Sequence, residues 1–333
     1  MTLCLGIETS CDETAAAVVA DRTDVRSNVV SSQYVHSRYG GVVPELAARA
    51  HARLVVPVTL AALETAGVSI DQLSCIAVTN TPGLLGALLV GLPFAKALSQ
   101  SLGITVVGVN HIEGHLFAVR LEYPNLKPPF LAAVLSGGHT ELLVAEDWCA
   151  YRMLGSTLDD ACGEAFDKVA KMLGLPYPGG AALEELAAGG RCSIRFPVPL
   201  VDSAEHSKSL DFSFSGLKTA VLYYLREHPD AARADLAASF QEAALTAVVN
   251  RIVQAADQTG LDRVGVSGGV AANKVLRKRL IEAGRQHSFE VLFPRPAYCA
   301  DNAAMIAAAG IERLERFGPS PLDLPALARS PLA

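Results

Sequence analysis

The feature that most constrains the fold is a pattern that occurs twice, in which apolar segments flank a short polar turn. Each copy predicts a strand, a tight turn, a returning strand and a third strand. Because each copy heads a half of similar size, we predict a duplicated α/β fold. The first apolar segment, the turn, the second segment and the third segment are 2–9, 10–14, 15–20 and 25–32 in one copy, and 130–135, 136–140, 141–146 and 151–155 in the other.

The remaining hydrophobic patterns predict helices and further buried strands, and the prolines at 124, 128 and 129 mark a domain boundary. We therefore predict an N-terminal lobe over 1–128 and a C-terminal lobe over 129–333, with a Ser- and Pro-rich surface insertion at about 189–215. Asp159-Asp160 is predicted to cap the helix of 160–173. The predicted strands are 75–79, 104–109, 263–266 and 291–293, and the predicted helices are 44–66, 84–102, 111–121, 160–173, 181 onward, 216–227, 231–258, 274 onward and 303 onward.

Composition narrows the class of protein and its compartment. The chain has 333 residues, half of them hydrophobic, and a net charge of −6, which argues against a non-specific polycationic grip on nucleic acid. Its seven cysteines are scattered without a C-x-x-C pair, as is typical of reduced thiols in a cytosol. The apolar runs are broken before about 18 residues and no signal peptide precedes the first strand, so we predict a soluble, cytoplasmic protein without a membrane span.

The run His111-Ile112-Glu113-Gly114-His115 follows a predicted strand and indicates a metal site. Histidines at i and i+4 of a helix project from one face and fit two coordination positions of one ion. The alternative is a pair of partly exposed helical histidines. Glu113 projects about 160–200° away from both, from the helical period, so it is not placed to activate water as a zinc-protease glutamate does. A third protein ligand is needed.

Three turns carry chemistry that suits ligands. Asp12 and Glu13 lie in the first polar turn, where they fit a phosphate or its metal, or an ordinary solvated hairpin. Ser136-Gly137-Gly138 is the better anion loop because glycines let a backbone approach an anion closely, although a plain hairpin turn explains it too. The stretch 267–273 places two glycines between a strand and a helix, an arrangement typical of nucleotide phosphates.

Seven runs together resemble the TsaD family of transfer RNA threonylcarbamoyltransferases, once described as O-sialoglycoprotein endopeptidases. The resemblance implies an actin/Hsp70/sugar-kinase-like fold of two duplicated lobes with an interlobe nucleotide cleft. It also implies transfer of a threonylcarbamoyl group from threonylcarbamoyl-adenylate to N6 of adenosine 37, forming t6A in transfer RNAs that read ANN codons and releasing AMP. The matching runs are 6–14, 111–115, 136–140, 163–168, 214–218, 267–273 and 301–306.

The resemblance also implies roles for individual residues. Asp301 resembles the carboxylate that joins His111 and His115 around Fe²⁺, with Zn²⁺ as the substitute; by itself it also reads as a helix N-cap. Asp12 and Glu13 are candidates for the base or for orienting the metal's surroundings. The residues expected to contact the nucleotide and acyl group are Val134, Leu135, Ser136, Gly137, Gly138, Asp167, Gly180 and Asn273.

The implied partners are transfer RNA and the family's companion proteins TsaB and TsaE. Lys274, Arg277, Lys278 and Arg279 form the densest basic cluster, which fits either an RNA surface or a solvated helix face. Three other functions stay open at this point. They are a metalloprotease, an ATPase or sugar kinase on the same fold, and a paralogue that only scaffolds a complex.

Overall fold

The computed structural model describes residues 1–39, 41–199, 209–330 and 332, and these form two compact units. Unit 1 comprises Met1–Lys127, Asp147–Ala150 and Pro294–Ala333, and unit 2 comprises Pro128–Glu146 and Tyr151–Phe293. The division after Lys127 lies at the proline-rich stretch noted above. The last forty residues, which the sequence analysis assigned to the second lobe, lie in unit 1, because the final helix packs on the sheet of that unit.

Each strand and helix named from the sequence is present, and its ends differ from the expected ones by no more than two residues. The strands are β1 (Leu3–Glu8), β2 (Glu13–Ala20), β3 (Asp24–Ser32), β4 (Cys75–Thr81), β5 (Thr105–Asn110), β6 (Phe130–Leu135), β7 (Thr140–Asp147), β8 (Ala150–Ser156), β9 (Arg263–Ser267) and β10 (Glu290–Leu292). The helices are α1 (Pro44–Ala66), α2 (Leu85–Leu102), α3 (His111–Glu122), α4 (Cys162–Met172), α5 (Gly179–Ala188), α6 (Ser215–Glu227), α7 (Arg233–Thr259), α8 (Lys274–His287), α9 (Pro296–Cys299) and α10 (Ala303–Phe317). Short 3₁₀ helices occupy Tyr34–Arg38, Ile70–Gln72 and Gly269–Ala272.

The two five-stranded sheets have the same topology, which confirms the duplication. Their orders are β3-β2-β1-β4-β5 and β8-β7-β6-β9-β10. In each, the first strand pairs antiparallel with the second and parallel with the fourth, and the fourth pairs parallel with the fifth. Both polar turns therefore follow the central strand at the carboxyl edge of a sheet, the edge at which open α/β sheets bind their ligands.

The sheet of unit 1 is covered on both faces. Leu3, Leu5 and Ile7 of β1 point to one face, where they form a buried core with α1 and α2. Gly6 points to the other face, against α10. A side chain on Gly6 would collide with the carbonyl oxygen of Ala303, so this alternation lets α10 lie directly on the sheet. The alanine-rich first half of α10 is fully buried as a result.

Unit 2 is built around β6 and the long helix α7. β6 is buried along its whole length, between β7 and β9. α7 packs against α5, and Phe240 of α7 meets Phe166 of α4 edge to face with ring centroids 5.1 Å apart. Aromatic pairs in this geometry add about 0.5–1.5 kcal/mol beyond the area they bury. The contact holds α4 beside the carboxyl edge of the sheet.

The start of α4 corrects one prediction. Its N-cap is Ala161, so Asp159 and Asp160 do not cap it. Asp159 instead accepts hydrogen bonds from the backbone at the start of α6. Asp160 forms ion pairs with Lys168 and Lys218 at 2.7 and 2.6 Å. The cap prediction was wrong because both carboxylates have partners outside the first turn of α4.

The segment predicted as a surface insertion is only partly described, because residues 200–208 lie outside the described ranges. At its end, Leu210, Phe212 and Phe214 are buried. Phe212 also forms a β-bridge with Thr157, at the end of β8. These residues belong to the core of unit 2 because alternate side chains of 210–214 pack inward. The polar residues between them made the segment look like a surface insertion.

Two helices, α1 and α2, are long and apolar enough to cross a membrane by length and composition. Core helices of soluble proteins pass the same test. Here both helices pack against each other and on the sheet of unit 1, and their apolar residues supply much of its core. Their composition is therefore explained by packing within the unit.

Candidate functional site

The two predicted histidines and Asp301 converge at the carboxyl edge of the unit 1 sheet. α3 begins at His111, directly after β5, and the Asn110 side chain caps it by accepting a hydrogen bond from the Ile112 N–H at 2.8 Å. Asp301 immediately precedes the N-cap of α10, Asn302. The two caps fix the starts of both helices, so the three side chains are presented from defined backbone positions.

The three side chains are close enough together to hold one metal ion. The Nε2 atoms of His111 and His115 lie 3.4 and 3.3 Å from Oδ1 of Asp301. One ligand atom from each residue lies within 4.8 Å of the others. Both histidines are buried, and their ring centroids are 4.8 Å apart. The histidine pair predicted from the i, i+4 spacing therefore shares one helix face, and Asp301 meets it.

The buried polar atoms of this cluster fit a bound cation. Both ring nitrogens of His115 are buried; within the described residues Nδ1 has no hydrogen-bond partner, and Nε2 has only the Asp301 carboxylate, at 3.3 Å. A buried polar group without a partner costs free energy, so an ion at this position would satisfy one of these nitrogens. Two imidazoles and one carboxylate form a donor set that suits a divalent transition metal with open positions.

Further carboxyl groups surround the cluster. Asp12 is buried and hydrogen-bonds Glu13 at the start of β2. Burial raises the pKa of Glu13 to about 10, and the nearby carboxylates of Asp301 and Asp12 add to the effect. Burial alone would raise the pKa of Asp301 too, but His111 and His115 outweigh it and hold that pKa well below its usual value. Acidic groups at this density are stabilised by a cation.

Glu113 has a structural partner rather than a place in the cluster. Its side chain is fully buried and its Oε2 pairs with the guanidinium of Arg313 on α10 at 3.0 Å. This confirms that Glu113 points away from the histidines. A second ion pair, Arg120 to Glu312 at 2.8 Å, also joins α3 to α10. The glutamate that a zinc protease would need beside its metal is thus engaged in fastening two helices together.

Gly114 lets α3 and α10 approach closely enough for the ligands to meet. A Cβ atom at Gly114 would lie 2.7 Å from Cδ1 of Ile306 and 3.2 Å from Cγ of Met305. Both neighbours lie in the first turn of α10, close behind Asp301. Glycine between the two histidines therefore places the start of α10 against the face that carries them.

In unit 2, the turn after β6 has unused backbone donors. The Ser136 N–H donates to the His139 carbonyl at 2.8 Å, and the Ser136 hydroxyl accepts from the His139 N–H at 3.1 Å. Within the described residues, the N–H groups of Gly137 and Gly138 have no hydrogen-bond acceptor. A Cβ atom at either glycine would meet nothing within 4 Å. Ser136 and His139 therefore hold the turn closed, and the two exposed glycines keep N–H groups without an acceptor within the described residues.

The surroundings of this turn depend on two close backbone approaches. A Cβ at Gly163, in the first turn of α4, would lie 2.6 Å from the Ser136 carbonyl oxygen. Gly268 has a φ of +93°, and a side chain there would collide with the backbone of Leu135. The end of β6, the start of α4 and the turn after β9 consequently lie together, as nucleotide-binding edges of α/β sheets require.

The other predicted nucleotide residues occupy the same unit in different ways. Val134 and Leu135 are fully buried in β6, which pairs with β7 on one side and β9 on the other. Asp167 accepts a hydrogen bond from the Gly179 N–H at 2.7 Å, which places the start of α5, including Gly180, next to it. The Asn273 side chain caps α8 through the Leu276 N–H, and its amide donates to Gln241 at 2.9 Å.

Half of the predicted basic cluster is engaged within unit 2. The Arg277 side chain donates to the Ala271 carbonyl at 2.7 Å and stacks over Phe293. Arg279 pairs with Glu242 of α7. Lys274 and Lys278, four residues apart on α8, are exposed. The cluster is thus partly a device for packing α8 and offers two exposed cations.

The sequence analysis missed Glu8, the last residue of β1. Glu8 is fully buried, and its Oε2 lies 3.1 Å from Nδ1 of His111. The available signal was a lone acidic residue at the end of an otherwise apolar strand. Such a residue has to find a partner when buried.

Comparison with known proteins agrees with this geometry. The chain matches the TsaD family, described as tRNA N6-adenosine threonylcarbamoyltransferase, over residues 24–308. A curated protein of that name from Moorella thermoacetica is 49% identical over 334 residues, covering 98% of this chain and 96% of the relative. One from Geotalea uraniireducens is 51% identical over 336 residues, covering 99% and 96%.

Solved structures with little sequence identity share the fold. Component A of (R)-2-hydroxyglutaryl-CoA dehydratase from Acidaminococcus fermentans superposes with a TM-score of 0.57 at 15% identity, covering 95% of this chain and all of that one. HypF from T. kodakarensis gives 0.65 at 16% identity, covering 95% of this chain and 48% of that one. Both confirm the actin/Hsp70/sugar-kinase-like architecture. By its match along most of its length and by its identity to curated relatives, the chain belongs to the TsaD family of tRNA N6-adenosine threonylcarbamoyltransferases.

Proposed function

We propose that this chain transfers a threonylcarbamoyl group from threonylcarbamoyl-adenylate to N6 of adenosine 37 in transfer RNAs that read ANN codons, forming t6A and releasing AMP. The observation that carries the proposal is the convergence of His111, His115 and Asp301 in a chain that belongs to this family. The free backbone donors at Gly137 and Gly138 support it, because they suit a nucleotide phosphate. Transfer RNA and the reaction both belong to the cytoplasm.

The chemistry sets modest demands on the protein. In the transfer, a bond forms between N6 and the carbamoyl carbon, the carbon–oxygen bond to the phosphate breaks, and AMP leaves with the electron pair. N6 loses one proton. An exocyclic adenine amine is a poor nucleophile, but a mixed carbamic–phosphoric anhydride is already activated. The enzyme therefore acts mainly by positioning both substrates and by stabilising the departing phosphate and developing oxyanion.

We assign the nucleotide to unit 2. The backbone at Val134, Leu135 and Ser136 leads into two exposed glycines, whose N–H groups suit the phosphate and acyl oxygens. Asp167 and Gly180 are proposed to contact the ribose hydroxyls, since a carboxylate accepts hydrogen bonds from them. Asn273 is proposed on the adenine side. The Asn273 side chain caps α8, so we propose that Asn273 acts by fixing the start of α8 beside the adenine.

We assign the cofactor to unit 1, as Fe²⁺ with Zn²⁺ as the substitute, held by His111, His115 and Asp301. When bound, such an ion supplies Lewis acidity toward a carbamoyl or phosphoryl oxygen. Asp12 and Glu13 are proposed to orient groups around the ligands, and Asp12 is also proposed to accept the proton that N6 loses. Their burial beside Asp301 supports either role, because both sit at the same edge of the sheet as the ligands.

We propose that the exposed surface of α1 and α2 binds TsaB, with TsaE as a further partner. Val56 and Leu60 of α1 are 49% and 58% exposed, and Leu85 and Leu89 of α2 are 48% and 52% exposed. The residues of each pair are four apart and share one helix face. Large apolar side chains in such an arrangement are typical of protein interfaces. The two helices pack against each other within unit 1, which supports a common surface.

The rival functions have less support. A metalloprotease of the zinc-helix type activates water with a glutamate of the histidine helix, and the glutamate of that helix, Glu113, is paired with Arg313 instead. An ATPase or sugar kinase is suggested by the fold alone, and fold alone does not establish function. A paralogue that only scaffolds a complex would have no need of a histidine pair and Asp301 arranged as ligands.

The test is reconstitution of the reaction. Purified protein is incubated with threonylcarbamoyl-adenylate and unmodified transfer RNA, with and without TsaB and TsaE, and the digested nucleosides are analysed for t6A. We expect t6A from the wild type and a loss of it in His115→Ala. The matched control is His287→Ala, which removes a partly exposed histidine of unit 2 that pairs with Asp257. Absence of t6A in every combination, or peptide cleavage by the wild type, would overturn the proposal.

A further inference from the structure

We propose that Glu8 is a positioning residue of the metal centre. It accepts a hydrogen bond from Nδ1–H of His111 and so directs the Nε2 atom of that ring at the position shared with His115 and Asp301. The inference rests on the proposed metal site and adds to it a residue outside the ligand set.

The strand geometry explains why Glu8 reaches this place. In β1, Gly6 points to the face covered by α10, and Glu8, two residues on, points to the same face. Glu8 is the last residue of the strand, so its side chain arrives where α3 and α10 begin. Its Oε2 lies 3.1 Å from Nδ1 of His111, which is on α3. The Ser10 hydroxyl also lies near that nitrogen, 3.2 Å from Nδ1.

The two nitrogens of His111 have opposite surroundings. Nδ1 faces the Glu8 carboxylate, and Nε2 faces Oδ1 of Asp301 at 3.4 Å. An imidazole that ligates a metal through Nε2 carries its proton on Nδ1, and a carboxylate at Nδ1 stabilises that tautomer and orients the ring. Such a carboxylate also makes the ligating nitrogen more basic. The arrangement around His111 meets each of these conditions.

Glu8 is itself held rigidly, as a positioning group should be. The Ser10 N–H donates to its Oε1 at 2.5 Å, and the Thr79 hydroxyl donates to its Oε2 at 2.5 Å. With His111, these donors satisfy a carboxylate that is fully buried.

The chain offers a matched control, because Glu113 is an equally buried glutamate two residues from His111. Both carboxylates have no solvent exposure. Glu8 contacts the imidazole, whereas Glu113 contacts the guanidinium of Arg313. Replacing either with glutamine removes one buried charge without removing bulk. Only the change at Glu8 alters a group that contacts a proposed metal ligand, His111. The two variants therefore distinguish an effect on the orientation of His111 from a general loss of stability.

The experiment is a calorimetric titration of the metal-free full-length protein with Zn²⁺, for the wild type and for Glu8→Gln, Glu113→Gln and His111→Ala. We expect the Kd for Zn²⁺ to rise about 10- to 100-fold in Glu8→Gln, the usual effect of removing such a partner. In Glu113→Gln it should stay within about threefold of the wild type while the Tm falls. Thr79→Val, which keeps Glu8 but removes one donor to it, should give a smaller rise.

A spectroscopic readout distinguishes orientation from loss of folding. In the zinc-loaded wild type, NMR should show one slowly exchanging Nδ1 proton on His111, shifted downfield by the carboxylate. The shift should be lost in Glu8→Gln and kept in Glu113→Gln.

Equal Zn²⁺ affinity in the wild type and Glu8→Gln, with weaker binding in His111→Ala, would overturn the inference about Glu8 but not the metal site. Equal losses in the two glutamine variants would overturn it as well. No Zn²⁺ binding by the wild type would overturn the metal site and the inference with it. If Glu8→Gln does not fold, an unchanged affinity in folded Thr79→Val would count against it.

Discussion

The two units repeat one sheet topology but place opposite chemistry at the same position. In unit 1 the turn after the central strand contains Asp12 and Glu13, and in unit 2 the corresponding turn contains Gly137 and Gly138. The first turn adds carboxyl groups beside two histidines and Asp301. The second contains two exposed glycines whose backbone N–H groups have no acceptor within the described residues. We therefore propose a cation site in one copy of the scaffold and an anion site in the other.

This difference shows that the sheet topology fixes the position of the turn, whereas the residues in the turn determine whether it suits a cation or an anion. In both units the central strand ends at the carboxyl edge, next to a parallel neighbour and the start of a helix. Oxygen and imidazole ligands at that edge suit a metal, and bare N–H groups suit a phosphate. The proposed reaction, which holds a phosphate and polarises a carbonyl, would call for both kinds of site.

The largest expected effect is on the cation side of the comparison. His111→Ala and His115→Ala should each lower the rate of t6A formation at least about 100-fold, since loss of Lewis acidity removes several kcal/mol of transition-state stabilisation. The double variant should be little worse than either single variant, because one missing ligand already disables the site. Initial rates of t6A formation with saturating transfer RNA measure both effects. Multiplying losses in the double variant would show that the histidines act separately.

The second prediction concerns the exposed apolar surface of α1 and α2 in unit 1, which has no counterpart on α7, the long helix of unit 2. Within the described residues, α7 carries none of the exposed large hydrophobic side chains, whereas α1 and α2 carry four. Leu60→Glu together with Leu89→Glu should weaken binding of TsaB by about 30-fold or more, as loss of central interface residues does. Pull-down and calorimetry with purified TsaB measure it.

The control for that surface is Ile281→Glu, an exposed apolar position of similar exposure on α8. It should leave TsaB binding unchanged. Both variants should keep the wild-type Tm within a few degrees, because the altered side chains lie in solvent. Unchanged TsaB affinity in the doubly charged variant would remove α1 and α2 from the interface.

The smallest of these effects is expected on the anion side. Gly137→Val should raise the Kd for AMP about tenfold, because a β-branched side chain blocks approach to the backbone N–H groups and restricts φ. The space around Gly137 is open, so the variant should fold. Gly189→Val is the control, since Gly189 has an ordinary φ and no neighbour closer than 3.7 Å. Wild-type AMP affinity in folded Gly137→Val would remove this turn from the nucleotide site.

Periodicity and turn residues predicted most of the fold. The duplicated strand–turn–strand pattern, the helix at 44–66 and the i, i+4 histidines are local signals, and each is found in the structure. The packing of α10 on β1 joins residues about three hundred positions apart, and no local pattern records it. For that reason the last forty residues were assigned to the wrong side of the division found in the structure.

The same limit applies to individual site residues. Asn273 is predicted as a ligand contact, and its hydrogen bond to Gln241, 32 residues away on α7, has no signal in the local sequence. Glu8 was read as the end of a strand, because its partner, His111, lies more than a hundred residues further on. Asp301 was found through resemblance to a family and not from spacing. Side chains whose partners are distant in sequence are invisible to pattern analysis, although burial of a charge predicts that partners exist.

The most direct test of the account is the metal content of the Asp301→Ala variant. Asp301 and His111 are 190 residues apart in sequence, and their side chains meet at 3.4 Å. After purification, loading with Zn²⁺ and desalting, the wild type should retain about one equivalent by elemental analysis. Folded Asp301→Ala should retain only a small fraction of an equivalent, because a site with three protein ligands binds its metal weakly once any one of them is removed. Full occupancy in folded Asp301→Ala would contradict the convergence of the two histidines and this carboxylate on one ion.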